Sequence, residues 1–188
     1  SHLHLGAGRV AEAEILANEA LRLFPDYHYA IAQLAKVREA QGRLDDAVTL
    51  LRRHVAMAPH PENHYYLARA LALSGKKAEA RSRYALFEKA AVSESAGWDN
   101  ANRELIYYWA DHGRADAALS LARKEISRRQ DILTRAALAW ALYRSGKPEL
   151  ACTEMKQALA IGSRDATLLK QAKTIRTKAP LCRKKFTV

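Results

Sequence analysis

The chain contains few of the residues that break or cross-link regular structure. It has two cysteines, five prolines and eight glycines among 188 residues. Two cysteines do not make the disulfide framework of a small secreted domain, so we interpret Cys152 and Cys182 as free buried thiols. The scarcity of proline and glycine argues against long structureless linkers. No stretch approaches the roughly 18 uninterrupted apolar residues of a membrane span, and no secretory leader is visible.

Acidic residues are also in the minority, and they are absent from one end of the chain. Lysine and arginine outnumber aspartate and glutamate by 31 to 20, which gives a formal charge of +11. Residues 170–188 contain seven bases and no acid, so they supply +7 and leave +4 for residues 1–169. The body of the protein is therefore predicted to be mildly basic, with a basic C-terminal segment.

The glycines reveal an internal repeat. Gly8, Gly42, Gly75, Gly113 and Gly146 are separated by 34, 33, 38 and 33 residues. A base follows each of them directly, and an alanine follows five residues later. The last four also have a leucine eight residues earlier, at Leu34, Leu67, Leu105 and Leu138. Features that recur in one register at this period are typical of a helical repeat array.

Each repeated residue type has a physical role in a helical hairpin. Glycine ends a helix, because it adopts the left-handed conformation that other residues resist. The alanine marks the place where two helices touch, since a larger side chain there would push them apart. The leucine and its neighbours follow helical spacing, as in Leu138-Ala139-Leu142, and form the buried stripe.

These residues resemble the tetratricopeptide repeat family, whose pattern places Leu, Ala and Pro at such positions over about 34 residues. The second repeat reads Ile31-x2-Leu34-Ala35, then Ala47-x3-Leu51 and Pro59. The resemblance covers roughly residues 6–163. It implies an all-α, right-handed superhelical solenoid of antiparallel helix hairpins. The segment Leu138–Tyr143 with Gly146 is similar to C-terminal repeats of bacterial members, which predicts a bacterial source.

We predict a single array over residues 1–178. Its repeats are expected at about 1–25 (partial), 28–60, 61–94, 99–131 and 132–164. A capping helix at 165–178 and a basic tail at 179–188 complete the chain. Ten helices are expected at about 10–24, 27–41, 44–58, 61–74, 77–92, 98–112, 115–129, 131–145, 148–161 and 165–178, with Asp131 and Asp165 as caps. Because only seven residues precede Gly8, further repeats are expected upstream.

In this family the first helix of each hairpin lines a concave groove that takes extended peptides or partner helices. The resemblance therefore assigns a peptide groove rich in aromatic residues and arginine, the types that dominate binding hot spots. The predicted groove residues are Tyr29, Lys36, Tyr65, Arg69, Arg103, Tyr107, Trp140, Tyr143 and Arg144. One subclass grips a terminal carboxylate with paired Lys and Asn. The matching positions here include Ala32, Tyr66 and Ala136, which do not support that clamp.

No catalytic or ligand-holding motif accompanies the repeat. His60 and His64 have the spacing of metal ligands, but Pro61 lies between them and no partner motif follows. The glycines are solitary and form no phosphate-binding loop, and neither cysteine has a nearby histidine in a nucleophile pattern. The sequence therefore predicts no enzyme activity, no metal site and no cofactor.

Three functions remain open. The first is a scaffold that binds a protein or peptide with acidic and apolar residues. The second is nucleic-acid or anionic-surface binding through the basic C-terminal segment, since Lys and Arg neutralise phosphates. The third is a non-catalytic arm of a larger protein. The sequence fits both the bacterial cytoplasm and the periplasm.

Overall fold

The fold is all-α, with one hairpin following another along the chain. A computed structural model describes residues 2–179 and Cys182. In this part of the chain it contains eleven helices and no strand. The helices are α1 (His2–Gly6), α2 (Val10–Leu23), α3 (His28–Ala40), α4 (Leu44–Met57), α5 (Pro61–Leu73), α6 (Lys77–Glu94), α7 (Asn102–Asp111), α8 (Ala115–Arg128), α9 (Ile132–Arg144), α10 (Pro148–Leu159) and α11 (Ala166–Lys178).

The chain forms two compact units, Ser1–Asn100 and Ala101–Val188. We call them the first and the second unit. In the first unit each helix from α1 to α6 packs against the next one along the chain. In the second unit α7 packs against both α8 and α9, and α11 packs against α9 and α10. In both units, helices that are neighbours along the chain therefore pack together as consecutive hairpins.

The repeat glycines close the first helix of each hairpin, as predicted. Gly42 and Gly75 have φ of 75° and 81°, in the left-handed region that favours glycine. Beyond Gly42, the amide of Arg43 donates to the carbonyl of Arg38 at 2.8 Å, and the amide of Lys76 donates to Leu71 at 2.9 Å. This pattern satisfies carbonyls at the helix end, which otherwise lack partners.

The repeated alanines and leucines form the contact surfaces between helices. All five alanines are at most 3% exposed, and all four leucines are at most 7% exposed. They belong to the buried core of their unit together with larger side chains such as Phe87 and Met155. Burial of this apolar surface is the main source of stability of each hairpin.

Helix boundaries agree with the sequence prediction to within two residues almost everywhere. The exception is the junction with the 38-residue spacing, where α6 continues to Glu94 and α7 starts only at Asn102. The predicted caps are confirmed. Asp131 accepts the amides of Leu133 and Thr134 at 2.9 and 3.1 Å. Asp165 caps α11 in the same way.

The prediction of free thiols is wrong. A disulfide joins Cys152 of α10 to Cys182 beyond α11, with a Cα–Cα separation of 6.2 Å. Both cysteines are nearly buried, at 3% and 2% exposure. No sequence signal pointed to this pair, because Cys182 lies outside the repeat register. The bond ties the end of the described chain back to α10.

Candidate functional site

The first unit contains a cavity of about 330 Å³ between α3 and α5. The wall of α3 carries polar and aromatic side chains spaced so that they share one helical face. These are His28, Tyr29, Gln33, Lys36 and Glu39. The opposite wall comes from α5 and consists of Glu62, Asn63, Tyr66 and Arg69. Leu51 and His54 of α4, His60 and Asp99 complete the lining.

Long side chains bridge the two walls of this cavity. Arg69 donates to the carboxylate of Glu39, and both are partly buried. Lys36 Nζ lies 5.4 Å from the centre of the Tyr66 ring, and Arg69 Cζ lies 5.6 Å from it. Both distances allow cation–π attraction. Burial is the largest single effect and opposes the charge of Arg69, but Glu39, Tyr65 and Tyr66 together outweigh it and raise the pKa of Arg69.

Three of the predicted groove residues line this cavity, namely Tyr29, Lys36 and Arg69. The fourth in this unit, Tyr65, does not line the cavity, whereas the adjacent Tyr66 does. Tyr65 is only 8% exposed. Its ring packs 5.2 Å from Phe87 and 6.0 Å from Tyr84 of α6. One helical position separates the two tyrosines, which turns Tyr65 toward the partner helix of its own hairpin.

Three histidines line this cavity that were not among the predicted groove residues. His28 and His54 lie with Nδ1 and Nε2 3.4 Å apart and with nearly parallel rings. His60 lines the same cavity. Burial, followed by the nearby charges of His28, Lys36 and His60, lowers the pKa of His54 to about 4. His54 is therefore neutral at physiological pH, and it occupies a position where the repeat pattern favours a small residue.

Three buried polar atoms of the cavity lining have no hydrogen-bond partner among the described residues. They are Gln33 Oε1, an acceptor, Arg69 Nε, a donor, and His54 Nδ1, whose role depends on the tautomer. Buried polar groups are hydrogen-bonded in the great majority of cases, and an unpaired one is costly. Gln33 and Arg69 thus offer one acceptor and one donor to a bound group.

In the second unit the predicted groove residues contact one another. Trp140 donates from Nε1 to Asp111 at 3.0 Å, and its ring stacks on Tyr143 with centroids 5.2 Å apart. Arg144 donates from Nε to the carbonyl of Ala110 at 3.0 Å. These contacts hold α9 against the C-terminal end of α7.

The remaining two predicted residues are also engaged within the second unit. Tyr107 packs against the core of the second unit, and burial, which outweighs the opposing effect of Gln171 of α11, raises the pKa of its phenol. Arg103 pairs with the buried carboxylate of Glu104 at 2.8 Å. A shallower cavity in this unit has Tyr143, Arg144 and Lys178 in its lining. It lies beside the hairpin turns at Gly113 and Gly146.

Within the described residues, no group of three or more His, Cys, Asp or Glu side chains has a geometry that could hold a metal ion. None of the helices in that part of the chain combines the length and apolar character that a membrane span requires. The basic tail predicted at 179–188 lies outside the described residues, apart from Ala179 and Cys182.

Family models and solved structures identify the repeat. Two tetratricopeptide repeat models match, one over residues 4–64 and one over residues 132–157. Among curated proteins, no sequence matches. The crystal structure of TTC0263, a thermophilic TPR protein of Thermus thermophilus, has a TM-score of 0.66 at 18% identity. That likeness covers 91% of this chain and 92% of TTC0263.

A second structure supports the same fold. The crystal structure of the APC/C hetero-tetramer Cut9-Hcn1 has a TM-score of 0.61 at 13% identity, over 93% of this chain and 35% of that one. At such identities the likeness establishes the fold only. The two matching models show that the chain contains tetratricopeptide repeats at residues 4–64 and 132–157, and the in-phase glycines, alanines and leucines continue the same register between them.

Proposed function

We propose that this protein is a non-catalytic scaffold that binds an extended peptide segment in the cavity between α3 and α5. The tetratricopeptide fold implies protein partners. The observation that carries the proposal is the arrangement of Tyr66 between Lys36 and Arg69 on opposite walls of one cavity. Such a site places an aromatic surface beside two bases, which suits a segment with apolar and acidic side chains.

The cavity also has groups that fit a peptide backbone. A peptide bond presents one N–H donor and one C=O acceptor. Gln33 Oε1 accepts the first of these, and Arg69 Nε donates to the second. Both atoms gain a hydrogen-bond partner when a peptide amide lies between them. Main-chain contacts of this kind give affinity, while the side chains of the segment give specificity.

The first experiment identifies a ligand and tests the cavity. An array of capped peptides that alternate glutamate with leucine or phenylalanine is screened against the protein. The tightest binder is then titrated by calorimetry against the wild type and Arg69→Glu. We expect the charge reversal to weaken binding about 30-fold or more, because it removes a donor and repels the acidic segment.

Two further variants make the result specific. Arg81→Glu reverses an exposed base on α6 that does not line the cavity, and it should leave the affinity unchanged. Lys36→Gln removes the second base without adding repulsion, and it should weaken binding several-fold. Circular dichroism melts confirm that each variant is folded. Equal affinity of the wild type, Arg69→Glu and Lys36→Gln for the peptide would rule out this cavity as the binding site.

A further inference from the structure

The two facing histidines of the cavity share one proton position. Because His28 Nδ1 and His54 Nε2 are 3.4 Å apart, only one of these two nitrogens can carry a hydrogen between them. Neutral His54 provides a lone pair to a protonated His28, so one positive charge fits this pair. A second charge would place two N–H groups against each other. The pair can therefore become charged once on acidification without losing its contact.

Protonation changes the sign of the cavity lining. With neutral histidines, two bases, Lys36 and Arg69, face three carboxylates, Glu39, Glu62 and Asp99. The formal balance is then one negative charge. Histidine is the side chain whose charge ordinarily changes between pH 5 and 8. One proton on the His28–His54 pair and one on exposed His60 reverse the balance to one positive charge.

We propose that His28, His54 and His60 form a proton-dependent subsite for a carboxylate of the bound segment. This inference rests on the proposed function, because it concerns the same cavity. The subsite lies beside Tyr29, whose ring centroid is 4.1 Å from that of His28. It adds a second position for an acidic side chain at some distance along α3 from Lys36. Acidic segments bind more tightly at mildly acidic pH than at neutral pH.

Charged groups on the surrounding elements do not cancel this change. On α3, Glu39 is paired with Arg69 of α5. On α4, Arg53 is paired with Asp26, which precedes α3, at 2.6 Å. Each of these two pairs contributes one positive and one negative charge, so neither pair changes the formal balance of the cavity. Glu62 and Asp99 also line the cavity and are the carboxylates already included in the formal balance above.

The test compares two pH values. The acidic peptide selected above is titrated by calorimetry at about pH 7.5 and about pH 5.5 against the whole chain. A control peptide has glutamine in place of each glutamate. We expect the acidic peptide to bind about tenfold more tightly at the lower pH, which corresponds to one favourable charge contact of about 1.4 kcal/mol. The control peptide should show less than a twofold change.

Variants assign the effect to the histidines. In the double variant His28→Asn, His60→Asn the ratio of the affinities at about pH 5.5 and about pH 7.5 should fall from about tenfold to less than twofold. His112→Asn changes an exposed histidine of the second unit and should keep the full pH dependence. Melting curves at both pH values check that the variants are folded.

The outcomes separate the two proposals. If the acidic peptide binds at about pH 5.5 no more tightly than at about pH 7.5, the proton-dependent subsite is overturned and the peptide cavity remains in place. Undiminished pH dependence in the double variant would also overturn it. If no array peptide binds at either pH, both proposals fail.

Discussion

The second helix of a hairpin carries His54 in the first unit and Glu125 in the second, each twelve residues after its turn glycine. Both side chains are buried, at 6% and 3% exposure. Glu125 accepts hydrogen bonds from Asn102 and Arg128, each at 3.0 Å. His54 instead faces another imidazole and borders a cavity. One repeat position thus supports a closed polar network in one unit and an open site in the other.

The same contrast holds for the predicted groove residues. In the first unit, Lys36, Tyr66 and Arg69 line a cavity between two helices. In the second unit, Trp140 is fastened to Asp111 and stacked on Tyr143. Arg69 of the first unit is also paired, with Glu39, but its Nε and Gln33 Oε1 have no hydrogen-bond partner among the described residues and gain one when a ligand binds. Binding is therefore expected in the first unit.

The largest predicted effect concerns the disulfide, which belongs to the second unit alone. The bond closes a loop of 30 residues, for which loop-closure entropy gives about 3–4 kcal/mol of stabilisation. Cys152→Ala and Cys182→Ala should each lower the stability of the second unit by about that amount. Amide hydrogen exchange with mass spectrometry reads the two units separately. The first unit should exchange as in the wild type.

A double variant provides the control for this prediction. Because either single change already removes the bond, Cys152→Ala, Cys182→Ala should be no less stable than the weaker single variant. Additive losses, or faster exchange in both units, would show that the cysteines act through packing and not through the disulfide.

The second-largest predicted effect is a loss of folding stability at acidic pH, and it arises in the first unit. The pKa of His54 is lowered from an ordinary value near 6.5 to about 4 in the folded protein. The unfolded chain therefore binds this proton first, and stability is lost as pH falls from about 6.5 to about 4. We expect a loss of about 2 kcal/mol between about pH 7 and pH 4.5 from this group.

His54→Leu tests the acid effect, because leucine fills a similar space and does not titrate. Urea denaturation at several pH values gives the free energy of unfolding. The decline toward about pH 4.5 should be about 2 kcal/mol smaller in the variant than in the wild type. Parallel pH profiles would contradict the assignment to His54. Exchange of the second unit should respond equally to pH in both proteins.

The smallest predicted effect concerns helix caps. None of the described helices α2 to α6 of the first unit has a side-chain cap, whereas Asp131 and Asp165 cap α9 and α11 of the second unit. Asp131→Ala should lower the stability of the second unit by about 1 kcal/mol. Asp131→Asn keeps an acceptor and should restore most of it. A loss that is equal in both variants would point to charge and not to capping.

The repeat register could be predicted from the sequence because it depends on local chemistry. Gly42 and Gly75 end helices through their own backbone conformation, and Asp131 caps its own helix. Which residues line the cavity, in contrast, depends on contacts with neighbouring helices. Tyr65 packs against Phe87 of α6, and Tyr66 lines the cavity instead. Repeat spacing alone does not reveal such partners.

Two further features could not be predicted from the repeat pattern, for a different reason. The pairing of Cys152 with Cys182 depends on how the chain returns after α11. The engagement of Tyr107 by Gln171 depends on where that same helix lies. Both arise from contacts outside the repeat register, so no periodic pattern encodes them.

Hydrogen exchange on the peptide complex tests the central claim most directly. The acidic array peptide is added at saturation, and exchange is compared with that of the protein alone. We predict slower exchange in segments that cover α3 and α5, and no change in segments that cover α9. In Arg69→Glu the protection should disappear, and in Arg144→Glu it should remain. Protection of α9 with unchanged α3 and α5 would contradict the account.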